Sequence, residues 1–456
     1  MKFYLVLFLS KLAQWVLSLL SHVIPVRGTN FPGVLALRLC PDFIARVGKP
    51  KTIIAVTGTN GKTTTNNLLS GVLSSCGYSV LSNLYGSNIN TGIASCLLSG
   101  VTIGNRPTKD IAVLEIDERS AVRIYPYLTP DYVICTNLSR DTIMRNAHPY
   151  YIFELLDSQL PNSCTMILNG DDVISSRLKK NNKRVYYTVA QQLGDATEDL
   201  HLVNDAKVCP QCHGLLTYDY FKYDHLGHAH CPACGYESPT GDYVVTGVDS
   251  EAKTLSLSHE GTTTSYPLVS DTVFNVYNEA AVLAMTDLLV LPQEKVCTAL
   301  GTVSVVDSRL RERQYGDIQV KAIMSKGLTP ACNAVLEYTS SQPEEKEVVL
   351  YLEDKHELAS SSERITWIFD SDFQLLEQEN ISRIVIAGVR RHDFYFRLLL
   401  AGVNRDKIVV VETPAQVADA LSLESGESVY ILTDLYSGEE RDLMMSGIQK
   451  RVEARQ

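Results

Sequence analysis

A glycine-containing loop between a strand pattern and a helix pattern has the residue types that bind phosphate. Residues 52–57 form a β-branched run that predicts a strand, and a helical pattern begins near Thr64. Between them, Gly58 and Gly61 let backbone N–H groups face phosphate oxygens, and Lys62 can reach the terminal phosphates of a nucleotide. The spacing is two residues shorter than the usual phosphate-loop motif, and a purely structural turn is the alternative. We predict that nucleotide is bound by Gly58, Thr59, Asn60, Gly61, Lys62, Thr63 and Thr64.

An acidic segment follows a second predicted strand and could complete a magnesium site. The run Ile111–Ile116 predicts a strand that leads into Glu115, Asp117 and Glu118. A carboxylate at a strand end can meet the magnesium ion of a loop-bound nucleotide, which Thr63 would hold from the other side. We predict Glu115 and Thr63 as the magnesium ligands. The alternative is that these acids form only a solvated strand end.

Two Cys-x-x-Cys pairs have the spacing of a metal site. Eighteen residues separate the pairs, and four thiolates at this spacing can surround one zinc ion tetrahedrally. Because no ligand position stays open, we expect a structural zinc ion rather than a catalytic one. The histidines between the pairs are expected to face solvent or to pack on the surrounding ribbon. The predicted zinc ligands are Cys209, Cys212, Cys231 and Cys234.

Composition limits the class of protein that positions these residues. The 456 residues correspond to about three domains. Hydrophobic residues make up 45% and charged residues 20% of the chain, which is typical of a folded globular protein. The net charge of −11 opposes binding to nucleic acid phosphates, so we expect no nucleic acid partner. Eleven cysteines, four of them in metal-type pairs, indicate a reducing, cytoplasmic compartment.

The first residues of the chain predict an amphipathic helix. Residues 3–26 carry one charge, Lys11, and their apolar side chains repeat at helical spacing, with Gln14 and Ser18 on the other side. A membrane-spanning helix would tolerate Lys11 and Gln14 poorly, and a signal peptide would have a more basic start. We expect a helix that lies at an interface or meets a partner. A helix packed on the protein body, a signal peptide and a membrane span remain open.

Strand and helix patterns alternate along the rest of the chain and predict an α/β fold. Further strands are predicted at 79–81, 132–136, 165–169, 347–352, 383–387, 407–411 and 428–432. This alternation favours mostly parallel sheets with helices on both faces. Between about Leu202 and Tyr243 the composition shifts toward Cys, His, Gly and Tyr, which indicates an inserted segment. We predict an N-terminal helix and lead-in at 1–48, a central domain at 49–304 with a zinc ribbon inserted at 205–240, and a second α/β domain at 305–456.

The phosphate loop resembles that of the Mur ligase superfamily, which reads Gly-Thr-Asn-Gly-Lys-Thr as residues 58–63 do here. The resemblance implies ATP as cosubstrate with Mg²⁺, activation of a carboxylate as an acyl phosphate, and its displacement by an amine. It assigns catalytic roles to Lys62 and Glu115. It also implies a Mur-ligase-like central P-loop domain followed by a Rossmann-like C-terminal domain.

Two later segments extend this resemblance. Residues 274–281 resemble the Asn-x-x-Asn-x-x-Ala-Ala segment of the superfamily, which implies that Asn278 approaches the adenine. An N-cap and a turn are the local alternative for these asparagines. Asp307 and Arg309 stand at the expected entry to the last domain, where they could reach ribose or phosphate or lie on the surface.

With the ribbon included, the order of motifs resembles the MurT-type family of lipid II isoglutaminyl synthase subunits. This resemblance implies ATP-dependent amidation of the D-glutamate carboxyl in the stem peptide of lipid II, with ammonia from a GatD-type glutaminase partner. An acid before Trp367 completes the glutaminase triad in that family. Arg364 stands at that position here, and the adjacent Glu363 is the predicted replacement. Work on a lipid-linked substrate would place the chain at the inner face of the cell membrane.

Two other functions remain open. The chain could be a Mur-type ligase that adds an amino acid to a peptide precursor, or a glutamate to folate. It could also be a diverged, non-catalytic scaffold that binds nucleotide, since the segments around Tyr85, Asp141 and Arg364 depart from the family pattern.

Overall fold

The chain divides into two compact units, each built around one sheet. The computed structural model describes residues 2–21, 30–84, 87–140, 148–199, 201–302, 310–325, 329–352, 365–434 and 437–455. The larger unit takes the described residues within 1–139, 148–198 and 206–305. The smaller unit takes those within 140–147, 199–205 and 306–456. The domain boundaries expected from sequence stay a prediction.

Nine strands of the larger unit's described residues form one mixed sheet, and two more form a separate hairpin. The strands of this unit are β1 (Thr52–Thr57), β2 (Val80–Ser82), β3 (Ile111–Glu115), β4 (Tyr132–Cys135), β5 (Thr165–Asn169), β6 (Arg184–Val189), β7 (Thr217–Tyr223), β8 (Leu226–His230), β9 (Tyr243–Asp249), β10 (Thr254–His259) and β11 (Thr262–Pro267). The order across the sheet is β11-β10-β9-β6-β5-β4-β1-β3-β2, and β7 pairs only with β8. The strands from β2 across to β9 run parallel, and β9, β10 and β11 are antiparallel.

The parallel strands are continuously apolar because both faces of the sheet are covered. In β1, Ile53 and Ala55 belong to one core cluster, while Ile54 and Val56 are equally buried on the opposite face. The helices of this unit are α1 (Lys2–Ser21), α2 (Phe31–Leu39), α3 (Phe43–Arg46), α4 (Lys62–Ser75), α5 (Asn90–Ser99), α6 (Ala121–Ile124), α7 (Pro149–Gln159), α8 (Val273–Leu288) and α9 (Gln293–Leu300).

The smaller unit has a second mixed sheet. Its described strands are β12 (Leu310–Tyr315), β13 (Ile318–Ser325), β14 (Lys346–Tyr351), β15 (Ile381–Ile386), β16 (Ile408–Val410) and β17 (Ser428–Asp434), in the order β12-β13-β17-β14-β15-β16. Only the β12–β13 pair among them is antiparallel. The helices are α10 (Thr329–Ser341), α11 (Thr366–Asp370), α12 (Arg391–Leu400), α13 (Val417–Ala420) and α14 (Gly438–Glu453). Apolar clusters line both faces of this sheet.

The first helix packs on the larger unit by a narrow strip and exposes most of its apolar side chains. Val6, Leu7 and Ser10 are buried against the body. Among the described helices, the segment Lys2–Leu20 is long and apolar enough to cross a membrane by length and composition, with a mean hydropathy of 1.7. The exposed large apolar residues of α1 are Tyr4, Leu5, Phe8, Leu9, Leu12, Trp15, Val16, Leu19 and Leu20.

Most predicted strands are confirmed with small differences at their ends, whereas β12 and β13 were not predicted. The helix after the phosphate loop begins at Lys62, not near Thr64, because Lys62 already has helical backbone geometry after the left-handed Gly61. The mostly parallel sheet is confirmed for the central part of the larger unit. The antiparallel strands β9–β11 extend that sheet at one edge.

Candidate functional site

The predicted phosphate loop connects β1 to the N-terminus of α4. Gly58 and Gly61 have φ of +120° and +83°, conformations that favour glycine. A Cβ atom at Gly58 would collide with the Thr136 side chain, and one at Gly61 with the Asn278 side chain. Because the loop opens a 14-residue helix, its N–H groups and the helix dipole favour an anion at this end.

Lys62 forms a buried ion pair with Glu118. The Lys62 Nζ atom lies 2.8 Å from Glu118 Oε1, and the two side chains are 11% and 6% exposed. Nζ also donates to the backbone carbonyls of Gly58 and Thr59. Burial alone would lower the pKa of Lys62, but the Glu118 carboxylate outweighs burial and holds that pKa above its ordinary value. The lysine is therefore charged and held against the loop that it is predicted to serve.

Glu118 was not singled out by sequence reasoning. It starts a short 3-10 turn, Glu118–Ser120, three residues beyond the predicted ligand Glu115. The only sequence signal for it was its place in the acidic run. Its contact with Lys62 joins residues 56 positions apart, and it needs β1 and β3 to be neighbours.

The predicted magnesium ligands lie at the same edge of the sheet. Val56 of β1 pairs with Glu115 of β3, so the Glu115 carboxylate is beside the strand end from which the loop leaves. Asn88 Nδ2 donates to Glu115 Oε1 over 2.9 Å, and Thr63 is exposed in the first turn of α4. A carboxylate and a hydroxyl beside a phosphate site fit Mg²⁺, which takes few protein ligands. The assignment of these two residues as ligands stays a prediction.

The loop backbone is held from the other side by the segment after β4. Asn137 accepts a hydrogen bond from Asn60 N at its Oδ1 atom (3.1 Å) and donates from Nδ2 to Asn60 O (3.2 Å). Its own carbonyl accepts from Thr59 N at 2.8 Å, and Thr136 Oγ1 donates to Asn60 O. Asn137 is 3% exposed, so these bonds form away from solvent. Asn137 received no role from the sequence analysis, and its position directly after the predicted strand at 132–136 is the signal that could have indicated one.

Asn278, predicted to approach adenine, packs against the loop itself. Its Oδ1 atom accepts from Thr65 Oγ1 at 3.1 Å, and its Nδ2 atom donates to Asn275 Oδ1 at 3.2 Å. The residue is buried in the first turns of α8. It therefore supports Gly61, and its contact with adenine stays a prediction. The predicted residues Asp307, Arg309 and Glu363 lie outside the described residues.

The four predicted zinc ligands converge at the base of the β7–β8 hairpin. All four Sγ atoms lie within 4.8 Å of one another. The pairs Cys209–Cys234 and Cys212–Cys231 have Sγ–Sγ distances of 3.6 and 3.5 Å. A tetrahedron with Zn–S bonds of about 2.3 Å has edges of about 3.8 Å, so the cluster fits a zinc ion.

Backbone N–H groups around Cys209 favour the thiolate form of this residue. Burial raises the pKa of Cys209, but the N–H groups of Cys212 and Gln211 point at its sulfur and lower that pKa to about 7. Of the histidines between the pairs, His225 differs from the expectation, because it is completely buried and lies 3.2 Å from Asp172 after β5 instead of facing solvent or packing on the ribbon. His228 and His230 both contact Asp219 on the hairpin surface.

This combination of loop, acidic strand end and two α/β units is matched by known families. A model of the Mur ligase middle domain matches residues 56–224, and a model of the MurT ligase C-terminal region matches residues 330–437. The chain is therefore homologous to Mur ligases, a class of ATP-dependent carbon–nitrogen ligases.

Within this class the chain is similar to MurT subunits. It is 29% identical over 408 residues to the MurT subunit of lipid II isoglutaminyl synthase (glutamine-hydrolysing) from Staphylococcus aureus (strain COL), covering 89% of this chain and 90% of the relative. Its fold resembles a pseudomurein peptide ligase type C from Methanothermus fervidus (TM-score 0.67, 21% identity, 90% and 81% of the two chains). It also resembles MurF ligase from Thermotoga maritima in complex with ADP (TM-score 0.62, 13% identity, 94% and 86%).

Proposed function

We propose that this chain is the ATP-dependent synthetase subunit of an amidotransferase that converts the D-glutamate carboxyl of the lipid II stem peptide to D-isoglutamine. The observation that carries the proposal is the similarity to a MurT subunit over 89% of this chain, which includes both family regions. The phosphate loop with its charged Lys62 supports a working nucleotide site. A GatD-type glutaminase is the proposed source of ammonia, because the similar subunit belongs to a glutamine-hydrolysing enzyme.

The residues of the site fit the two chemical steps of such an amidation. A carboxylate oxygen of the substrate attacks the γ-phosphorus of ATP, which releases ADP and leaves an acyl phosphate. Ammonia then attacks the acyl carbon, loses a proton and displaces phosphate. Lys62 and the loop N–H groups stabilise negative charge on the transferred phosphoryl group, and Thr63 and Glu115 would hold the magnesium ion.

The direct test is mass spectrometry of lipid II incubated with the purified chain, Mg-ATP and ammonium. We expect one carboxyl group to become an amide, a mass decrease of about 1 Da per stem peptide. Lys62→Ala should abolish the conversion. Lys51→Ala, which removes an exposed lysine before β1, should leave it unchanged.

Other outcomes of this experiment would overturn the proposal in different ways. Addition of an amino acid, with no use of ammonium, would show an amino-acid-adding ligase. ATP binding without conversion of lipid II would show a scaffold or a different acceptor. A second incubation with glutamine and a co-purified glutaminase tests the proposed partner separately from the synthetase reaction.

We propose that the cysteine cluster holds a structural zinc ion. With 205–240 as an inserted zinc ribbon, the central ATP-binding domain would extend over 49–304 after the lead-in at 1–48. The mostly parallel sheet of the smaller unit supports a Rossmann-like domain at 305–456. Zinc analysis of the parent protein and of Cys212→Ser tests the metal. Equal, near-zero zinc in both would contradict it.

We propose that the chain is cytoplasmic and that α1 binds the inner surface of the cell membrane. Its exposed side includes Trp15 (62% exposed), Leu5 (59%) and Leu19 (52%), and exposed apolar residues of α2 such as Phe31 (54%) add to the apolar surface of this unit. Apolar surface of this extent on a helix is typical of interfacial binding. We propose a lipid surface as the partner of these exposed apolar side chains because the proposed substrate is itself lipid-linked.

Flotation with vesicles of phosphatidylglycerol and phosphatidylethanolamine tests this surface. The parent chain should float with the vesicles, and the double variant Trp15→Ser, Leu19→Ser should not. Leu193→Ser removes a fully exposed leucine elsewhere in the unit and is the control. Loss of a dimer in the double variant, with no vesicle binding by the parent, would assign the surface to a second copy of the chain instead.

A further inference from the structure

The β7–β8 hairpin extends from the cysteine cluster to a turn that is buried inside the larger unit. Cys231 follows β8 directly, and Cys212 lies five residues before the first residue of β7. Seven residues of β7 span roughly 20 Å. At the far end Tyr223 is 3% exposed, and His225 and Leu226 are completely buried. Hairpin turns usually face solvent, so burial of this one needs a reason.

The turn contacts the segment that holds the phosphate loop. Tyr223 Oη accepts a hydrogen bond from Asn137 Nδ2 at 3.5 Å. The same Asn137 amide bonds both the N–H and the carbonyl of Asn60 in the loop. The Tyr223 ring also packs edge-on against Tyr277, at 5.9 Å between centroids, and Tyr277 precedes the loop-supporting Asn278.

A second contact leads from the turn to the same segment. His225 Nε2 lies 3.2 Å from Asp172 Oδ1, and both side chains are fully buried. Asp172 Oδ2 accepts from Leu138 N at 2.7 Å, one residue after Asn137. The hairpin is also anchored by Gly227 N, which donates to Asp171 O at 2.9 Å. Through Asp172, the turn is thus linked to the backbone at Leu138, in the segment on which the loop rests.

We propose that the β7–β8 hairpin positions the phosphate loop, with Tyr223 and His225 as positioning residues for nucleotide binding. The cysteine cluster at the other end fixes the two strands and so keeps the buried turn in register. In this arrangement the inserted segment controls the affinity for the phosphate chain of the nucleotide through the residues that hold the loop. The inference rests on the proposed function, because the nucleotide is taken to be ATP.

Conservative variants of the turn test this role. Tyr223→Phe removes one hydroxyl and keeps the ring, and His225→Gln keeps a donor of different length toward Asp172. We expect the Kd for Mg-ATP, measured by calorimetry on the full chain, to rise about fivefold in Tyr223→Phe, the effect of losing one buried hydrogen bond, and to rise also in His225→Gln, because the glutamine donor is displaced from Asp172. Tyr218→Phe is the matched control. Tyr218 lies on the same strand as Tyr223, and its hydroxyl donates to Ala206 O at 3.1 Å, away from the loop.

Amide hydrogen exchange separates positioning from general destabilisation. In Tyr223→Phe and His225→Gln, exchange should increase in peptides that contain residues 58–64 and 136–139, and stay at parent level in α1, α5 and β10. Equal increases throughout the larger unit would overturn the proposal, because they would show a merely structural role. An unchanged Kd for Mg-ATP in both variants would overturn it as well.

The cluster end of the hairpin gives an independent test. Cys212→Ser should lose zinc and show the same local increase in exchange of residues 58–64 as Tyr223→Phe. Loss of zinc with parent-level exchange in the loop would overturn the coupling. If Lys62→Ala weakens Mg-ATP binding but the turn variants do not, the proposed function survives and this inference fails. A parent chain that binds no Mg-ATP would overturn both.

Discussion

Replacing Glu118 by glutamine tests two properties of its buried ion pair with Lys62: how much the pair stabilises the fold, and whether bound nucleotide competes with Glu118 for Lys62. Two unit charges 2.8 Å apart attract by about 6 kcal/mol at an effective dielectric constant of about 20. Glutamine keeps a hydrogen bond to the charged lysine worth about 2 kcal/mol. Burial opposes the Glu118 carboxylate and raises its pKa, and glutamine removes that cost. We therefore expect Glu118→Gln to lower the free energy of unfolding by at most about 4 kcal/mol.

The loss of unfolding free energy in Glu118→Gln should be smaller in the presence of Mg-ATP. Phosphate oxygens of ATP can neutralise Lys62 in place of Glu118, so Mg-ATP should recover part of the lost stability. If it recovers about 1.4 kcal/mol, ATP binds about tenfold more tightly to Glu118→Gln than to the parent chain. The assay is urea unfolding with and without Mg-ATP, together with calorimetric Kd values for both proteins.

Two results would refute the reasoning. The same loss of stability with and without Mg-ATP would show that Glu118 supports the fold without serving the nucleotide site. No loss in either condition would show that the pair does not contribute. Asp42→Asn removes one partner of an exposed ion pair with Arg46 and should change the unfolding free energy little in both conditions.

Three further predictions concern other titratable groups. Burial raises the pKa of Glu279 to about 8, so the carboxyl group is protonated in the folded chain and ionised when unfolded between about pH 4.5 and 8. Stability should therefore fall as pH rises through that window, by up to about 5 kcal/mol, and Glu279→Gln should flatten the fall in urea unfolding at several pH values. Cys231→Ser should abolish zinc retention and lower the melting temperature of the chain, whereas Cys76→Ser should do neither. Glu363→Gln should abolish amidation with glutamine and the glutaminase but keep it with ammonium, and equal activity in both would remove Glu363 from the triad.

Local patterns predicted the elements that carry the site, because those patterns arise within a few residues of chain. The β-branched run at 52–57 and the strand at 165–169 are found with the bounds expected. The four cysteines also converge as their spacing indicates. In contrast, β12 and β13 were not predicted, although β13 is almost entirely buried. Charged and polar residues in β12 hide the alternation that would mark an edge strand.

Contacts across the sheet could not be predicted from the same patterns. Lys62 meets Glu118 and Asn60 meets Asn137 only because β1 lies between β3 and β4, an order that does not follow the chain. The sequence marked an acidic run at the end of β3 but gave Asn137 no role. It did not show on which side of the loop either segment would lie.

The strand order also explains why an insertion between β6 and β9 can reach the nucleotide site. The β6 strand lies three places from β1, at β6-β5-β4-β1, so a segment leaving β6 starts on the side of the loop where Asn137 lies. The hairpin covers that distance and places Tyr223 against Asn137, on the opposite side of the loop from Glu118. The loop is thus held by a charge on its β3 side and by neutral hydrogen bonds on its β4 side. Mg-ATP competes with the charge alone, so substitutions on the two sides should have opposite effects on its Kd: tighter binding for Glu118→Gln and weaker binding for Tyr223→Phe.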